Sequence, residues 1–269
     1  CALPIFNGSG GTVQVNTTTG TITGAGPSSI IFNTIEALQV NVTASVPATN
    51  LGVSGGTNYT YTPGIANQAG TIQVDNLPIA FTGIGSVSSI SLTGSGSSTL
   101  RFLGTSGNDL ATVLSGTSLQ LANRAKVNTS GISAVSVFLL EGVDSTDITA
   151  SASPYTTLVV SGSAGEDGVI LRGNGTAMSV SVDALQSVIT GAGLASTSLT
   201  TLGVERVDLR NSAGDITFQS PLANNHYEVT PTGANTAAVS VTGLKPLFVT
   251  DNTGKLTIND GVTGDSDTL

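Results

Sequence analysis

The chain has 269 residues, 34 of them glycine and only 9% charged, with a net charge of −9. Charged residues usually make up about 25% of a globular protein, yet 39% of this chain is apolar, which is not the profile of a disordered one. The negative balance and eight scattered basic residues argue against nucleic acid as a partner, and no apolar run is long enough for a membrane-spanning helix.

Residues 1–34 read as an N-terminal cap or assembly segment. A chain that opens on Cys1, its only cysteine, resembles a mature bacterial lipoprotein. That resemblance implies acylation of Cys1 and an outer-membrane anchor; a fragment that merely begins there is the other reading. Leu3, Pro4, Ile5 and Phe6 make a short apolar plug, and GTVQVN (residues 11–16) alternates with Val13 and Val15 on one side. The segment either caps its own fold or adds as a strand to the sheet edge of a neighbouring copy. Nearly complete absence of charge favours the second role.

Residues 35–260 carry a recurring apolar rhythm. IEALQVNVTASVPATNLGV sets Ile35, Leu38 and Val40 ahead of Leu51 and Val53. VSSISLTGSGSSTLRF sets Val87, Ile90 and Leu92 ahead of Leu100 and Phe102. VSVFLLEGVDSTDITA gives Val135, Phe138, Leu140, Ile148 and Ala150. VERVDLRNSAGDITF gives Val204, Val207, Leu209, Ile216 and Phe218, and LKPLFVTDNTGKLTI gives Leu244, Leu247, Val249, Leu256 and Ile258. Copies therefore start near 35, 87, 135, 204 and 244, separated by 52, 48, 69 and 40 residues. Fixed apolar spacing with free residue identity indicates a repeated structural unit whose inward positions alone are constrained. The intervening pieces GTIQVD and TSLQLA alternate as strands. SVDALQSVITGAG (residues 181–193) has helical spacing at Val182, Leu185, Val188 and Ile189, with Ser181 to cap it and Gly191 to end it. The predicted fold is all-β, a parallel β-solenoid with loop insertions; tandem β-sandwich modules are the alternative. Residues 261–269 form an acidic tail.

Two Gly-rich turns carry the candidate chemistry. GTSGND (residues 104–109) and GSAGED (residues 162–167) resemble degenerate calcium-binding nonapeptides of the RTX type, with Thr105 and Ser163 in place of the second glycine. The chain thus resembles repeat-rich bacterial surface proteins with scattered Gly-x-x-Gly-x-Asp turns, over residues 70–260. The resemblance implies Ca²⁺ as a cofactor, with Asp109 and Asp167 as ligands. The residues themselves admit a second reading, in which Asp and Asn only stabilise turns. Glu205, Arg206, Asp208, Arg210 and Asp215 are the densest set of ionisable groups. They suit either a glycan-cleaving site or ion pairing on a solvent face.

The expected function is structural: a non-enzymatic subunit of an extracellular bacterial surface assembly, such as a surface layer, filament or adhesive stalk. Its expected partners are copies of itself in a homopolymer, cell-surface glycans, and the outer membrane through the lipid anchor. A glycan-active solenoid enzyme and a surface-displayed lipoprotein anchored through Cys1 are the alternatives.

Overall fold

The computed structural model describes residues 4–8, 11–24, 29–42, 49–114, 117–150, 155–194, 197–221, 226–241 and 244–260. Every regular element among them is a strand, and the main strand pairings between coils are parallel, so the fold is a parallel β-solenoid. The chain divides into two compact units: Cys1–Thr105 with Thr117–Ser136, and Ser106–Gly116 with Val137–Leu269.

The first unit opens with β1 (Ile5–Gly8), β2 (Thr12–Asn16), β3 (Thr21–Thr23), β4 (Ile30–Ile31) and β5 (Leu38–Val42). It continues with β6 (Asn50–Ser54), β7 (Asn58–Pro63), β8 (Gly70–Val74), β9 (Leu77–Thr82) and β10 (Ser89–Leu103). One ladder stacks β2, β6 and β10 in parallel, with Val13 opposite Leu51 opposite Ile90 and Val15 opposite Val53 opposite Leu92. A second ladder stacks β1, β5 and β9 in parallel; the antiparallel hairpin partners β8 and β7 then link it back to the far half of β10. Tyr61 lies opposite Phe102 there, their rings stacked at 4.9 Å. Strand alternation explains the burial: Val40, Ile79, Phe81, Ile72 and Tyr59 all turn inward and are buried, while their neighbours reach solvent.

β11 (Leu110–Leu114) belongs to the second unit, β12 (Ser118–Leu121) to the first, and β13 (Lys126–Phe138) ends in the second. The second unit goes on with β14 (Ser145–Thr149), β15 (Thr157–Ser161), β16 (Gly168–Arg172), β17 (Met178–Val182), β18 (Gln186–Gly191) and β19 (Ser198–Leu202). It closes with β20 (Arg206–Arg210), β21 (Ile216–Ser220), β22 (Tyr227–Gly233), β23 (Thr236–Val241), β24 (Leu247–Thr250) and β25 (Leu256–Asp260). Its longest parallel ladder runs β11, β14, β16, β20, β24, with Val113, Ile148, Leu171, Leu209 and Val249 in one inward column. A companion ladder stacks β17, β21 and β25, so that Val180, Phe218 and Ile258 align.

The last two copies stack as their spacing predicts: Val207 opposite Leu247, Leu209 opposite Val249, Ile216 opposite Leu256 and Phe218 opposite Ile258. The earlier copies do not. Leu51 and Val53, the second half of the first copy, lie against Ile90 and Leu92, the first half of the next. Leu38 and Val40 instead stack on Ile79 and Phe81. Val87 is 81% exposed, and in the third copy Val137 and Leu139 are buried while Leu140 is exposed and Phe138 half-buried. The reason is local: an offset of three residues crosses to the other side of a strand, so Val87 with Ile90, or Val135 with Phe138, cannot both face the core, and Ile90 and Val135 are the buried members.

The expected helix is a hairpin. β17 and β18 pair antiparallel, with Val180 opposite Ile189, and Leu185 at the tip is 80% exposed. The Asp183 N–H donates to the Gln186 carbonyl at 3.0 Å, a forward bond that a helix does not make, and the Asp183 carboxylate accepts the N–H groups of Leu185 and Gln186 within that turn. Met178, Val180 and Val182 fit a two-residue period and bury against β21, which outweighs the helical spacing.

Candidate functional site

The densest polar architecture lies in the second unit, at the turns that lead into β11, β14, β16 and β20. Each turn places an acid immediately before the strand: Asp109, Asp144, Asp167 and Glu205. Parallel stacking brings these acids into one column. The Asp109 N–H donates to Asp144 Oδ1 at 2.7 Å, the Asp144 N–H to Asp167 Oδ1 at 3.2 Å, and the Asp167 N–H to Glu205 Oε2 at 2.9 Å. Each carboxylate thus holds the backbone of the coil before it. The column ends on Lys245, whose Nζ donates to Glu205 Oε1 at 2.6 Å.

A close approach of backbone makes the stack possible. Gly165 has φ +141°, and a Cβ on it would collide with the carbonyl oxygen of Gly142 in the preceding turn. The shared sequence signal is Gly-x-acid: Gly107 before Asp109, Gly142 before Asp144, Gly165 before Asp167 and Gly203 before Glu205. Asp144 escaped the motif reading because its turn, EGVD, holds only the second of the two glycines. Glu205 stands in a run of charges, VERVDLR, which masks its place in this column.

Burial sets the electrostatics. Asp144 and Asp167 are 2% and 1% exposed. Desolvation is the largest influence on Asp144 and raises its carboxyl above the usual aspartate range; the Asp109 N–H opposes the shift, and the Asp167 and Asp109 carboxylates add to it. Its Oδ2 is sealed from solvent with no hydrogen-bond partner. Burial also pushes Glu205 up, but the Lys245 ammonium and the Asp167 N–H outweigh it and hold that carboxyl below the usual glutamate range.

These directions have opposite consequences for stability. A raised folded-state pKa means that Asp144 contributes fully below the ordinary aspartate value and loses that contribution as pH rises through the folded value; Glu205 contributes above its ordinary value and loses as pH falls. Asp144→Asn removes the first titration alone. Its melting temperature minus that of the wild type is expected to climb as pH is raised from about 4 to about 8. A difference that stays level across that range would show that Asp144 does not titrate abnormally.

Asp109 and Asp167, the expected calcium ligands, fall in this one column with Asp144 between them. The Asp167 carboxylate is a backbone acceptor: Oδ1 takes the Asp144 N–H, and Oδ2 takes the Ser163 N–H at 2.8 Å. Asp167 thus braces both its own turn and that of the neighbouring coil, while Asp109 joins the column through its backbone N–H. Among the described residues no three His, Cys, Asp or Glu side chains converge as a metal-holding group.

The charge cluster of VERVDLRNSAGD is dispersed by the fold. Glu205 joins the acid column, and Asp215 accepts the Lys255 N–H at 2.8 Å in the next turn. Arg206, Asp208 and Arg210 occupy the outward side of β20. Arg210 donates through Nε and Nη2 to Asp208 Oδ2 at 3.1 and 2.8 Å. Ion pairing occurs as one sequence reading has it, but Asp208 is only 3% exposed, because Ile170 and Phe248 flank it on the adjacent strands.

The assembly residues separate into two groups. Cys1 and Leu3 lie outside the described residues, as does the acidic tail. Pro4 is exposed, Phe6 half-buried, and Ile5 58% exposed, on a strand whose described partner is β5. Val13 and Val15 cannot serve as an intermolecular strand. Both are buried, and β2 is hydrogen-bonded to β6 on one side and β3 on the other. Their apolar column is completed inside the chain by Leu51 and Val53.

No protein-family model, curated protein or solved structure matches the chain.

Proposed function

We propose that the protein is a non-enzymatic structural subunit of an extracellular bacterial surface assembly, joining to copies of itself through β-strand edges. One observation carries this reading: the β1 edge is uncharged and patterned for continuation. Asn41 Nδ2 donates to Asn7 Oδ1 at 3.1 Å, and Thr82 Oγ1 to Asn41 Oδ1 at 3.0 Å, so amide and hydroxyl side chains form a ladder across β1, β5 and β9. A strand from another copy would meet the same backbone pattern that β5 offers β1 and would extend the ladder. Monomeric proteins usually guard such an edge with charge or proline. Here the first 100 residues hold only Glu36 and Asp75 as charged side chains, and Pro4 precedes the strand.

Removing residues 1–8 deletes β1 alone and is expected to abolish polymers, seen by negative-stain microscopy, while the remaining chain keeps its β-type circular dichroism. Deletion through residue 16 would also take Val13 and Val15 from the core and is not an equivalent test. A protein without β1 that polymerises like the intact chain overturns the edge reading.

A further inference from the structure

Two inward positions of the second unit carry hydroxyls where an apolar side chain would pack. Ser187 on β18 lies opposite Thr201 on β19, and the row continues with Val182 on one side and Val160 on the other. Ser187 is 8% and Thr201 3% exposed, yet neither hydroxyl makes a hydrogen bond within the described residues. An unpaired hydroxyl in such a place costs stability that alanine or valine would not. Neither is sealed from solvent as Thr146 Oγ1 is. Both line a cavity of about 230 Å³ at the corner where β19 leads into β20.

The rest of the cavity mixes apolar wall with a polar rim. Val182 and Val204 are buried and supply the wall. The tip of the β17–β18 hairpin and Lys245 form the rim, where Leu185 and Lys245 are exposed and mark the mouth. Asp183 fixes the shape of that tip by accepting the Leu185 and Gln186 N–H groups. The Lys245 ammonium gives one proton to Glu205 Oε1 at 2.6 Å and keeps two for another acceptor. A guest therefore meets a donor in Lys245, an acceptor in Asp183, and two hydroxyls that donate and accept. An aliphatic guest would leave those hydroxyls unpaired. An anion gains little, because Glu205 and Asp183 already balance the lysine charge.

We propose that this cavity binds one neutral sugar ring, either free or at the end of a glycan. A sugar presents hydroxyls that both donate and accept, set around a C–H surface that suits the two valines. The volume lies below the roughly 300 Å³ at which pockets for drug-sized ligands begin, which limits the guest to a single ring. No aromatic ring is among the described lining residues, so hydrogen bonds to the Ser187 and Thr201 hydroxyls and the Lys245 ammonium carry the recognition. A guest of that size held in that way binds weakly, with a dissociation constant of about 1 mM.

The test is saturation-transfer NMR on the full chain, which observes the sugar and works for a monomer or a polymer alike. The probes are glucose, galactose, mannose and N-acetylglucosamine, each free and as its methyl glycoside, with glycerol as the control. At least one sugar is expected to give a saturable signal with a midpoint of about 1 mM. Thr201→Val and Ser187→Ala are each expected to weaken that signal about tenfold. Both replace an unpaired hydroxyl by an apolar group, so their urea midpoints should equal or exceed that of the wild type. A methyl glycoside that binds as well as its free sugar identifies a glycan end as the ligand; one that does not bind identifies a free monosaccharide. No saturable signal from any sugar, a signal that glycerol matches, or folded variants that bind like the wild type would each overturn the proposal.

Discussion

Leu209→Ala is expected to cost about 2–5 kcal/mol of unfolding free energy, the range for a large aliphatic removed from a packed interior. Leu209 is fully buried in β20, in register with Leu171 of the coil before and Val249 of the coil after. Truncation opens a void that neither neighbour fills without pulling its own strand out of a parallel ladder. Each coil of a solenoid is covered mainly by the coils beside it, so the defect weakens two coil–coil contacts at once. Urea unfolding of the pure protein gives the number; a loss below about 1 kcal/mol would be a surface value and would mean that this column is not packed as described.

Asp167→Ala is expected to be comparably damaging, for a different reason. The side chain is buried and accepts the N–H groups of Asp144 and Ser163, while its own N–H donates to Glu205. Alanine leaves the buried Asp144 amide without its acceptor, while the amide of exposed Ser163 turns to water. At about 1–3 kcal/mol for an unsatisfied buried group, the loss is roughly 1–3 kcal/mol. Asp167→Asn keeps one acceptor oxygen and should lose about half as much. Amide hydrogen exchange at Asp144 and Ser163 locates the effect: both should exchange faster in the alanine variant and less so in the asparagine one. Equal, near-zero losses for both variants would make Asp167 an ordinary surface acid and would leave the column without a structural role.

The column also shows where sequence reasoning stopped short. Asp109 and Asp167 were legible because each closes a turn with two glycines. Asp144, whose turn keeps one glycine, was not, although burial raises its carboxyl above the usual aspartate range. Nothing in EGVDST distinguishes a solvated turn from one pressed between two others. The distinction arises when Gly142 and Gly165 let successive backbones approach closely enough for one coil's carboxylate to reach the next coil's amide.

The same division holds for the fold. Alternation of apolar and polar residues, frequent β-branched side chains and polar turns determine by themselves that the chain is all-β and which side of most strands faces inward. Side-chain direction in a strand depends only on position along it, which is local information. Even the hairpin at residues 178–191 was written in its two-residue period, beneath a coincidental helical one. Stacking partners were a tertiary decision. Val53 fits against Leu92 as well as Val40 would, so apolar identity cannot choose between them. The choice depends on how much chain the hairpins β7–β8 and β17–β18 consume before the next strand returns to the ladder. Tertiary pairing likewise withdrew Val13 and Val15 from any external edge, by giving β2 a partner on each side, and left Ile5 exposed on β1.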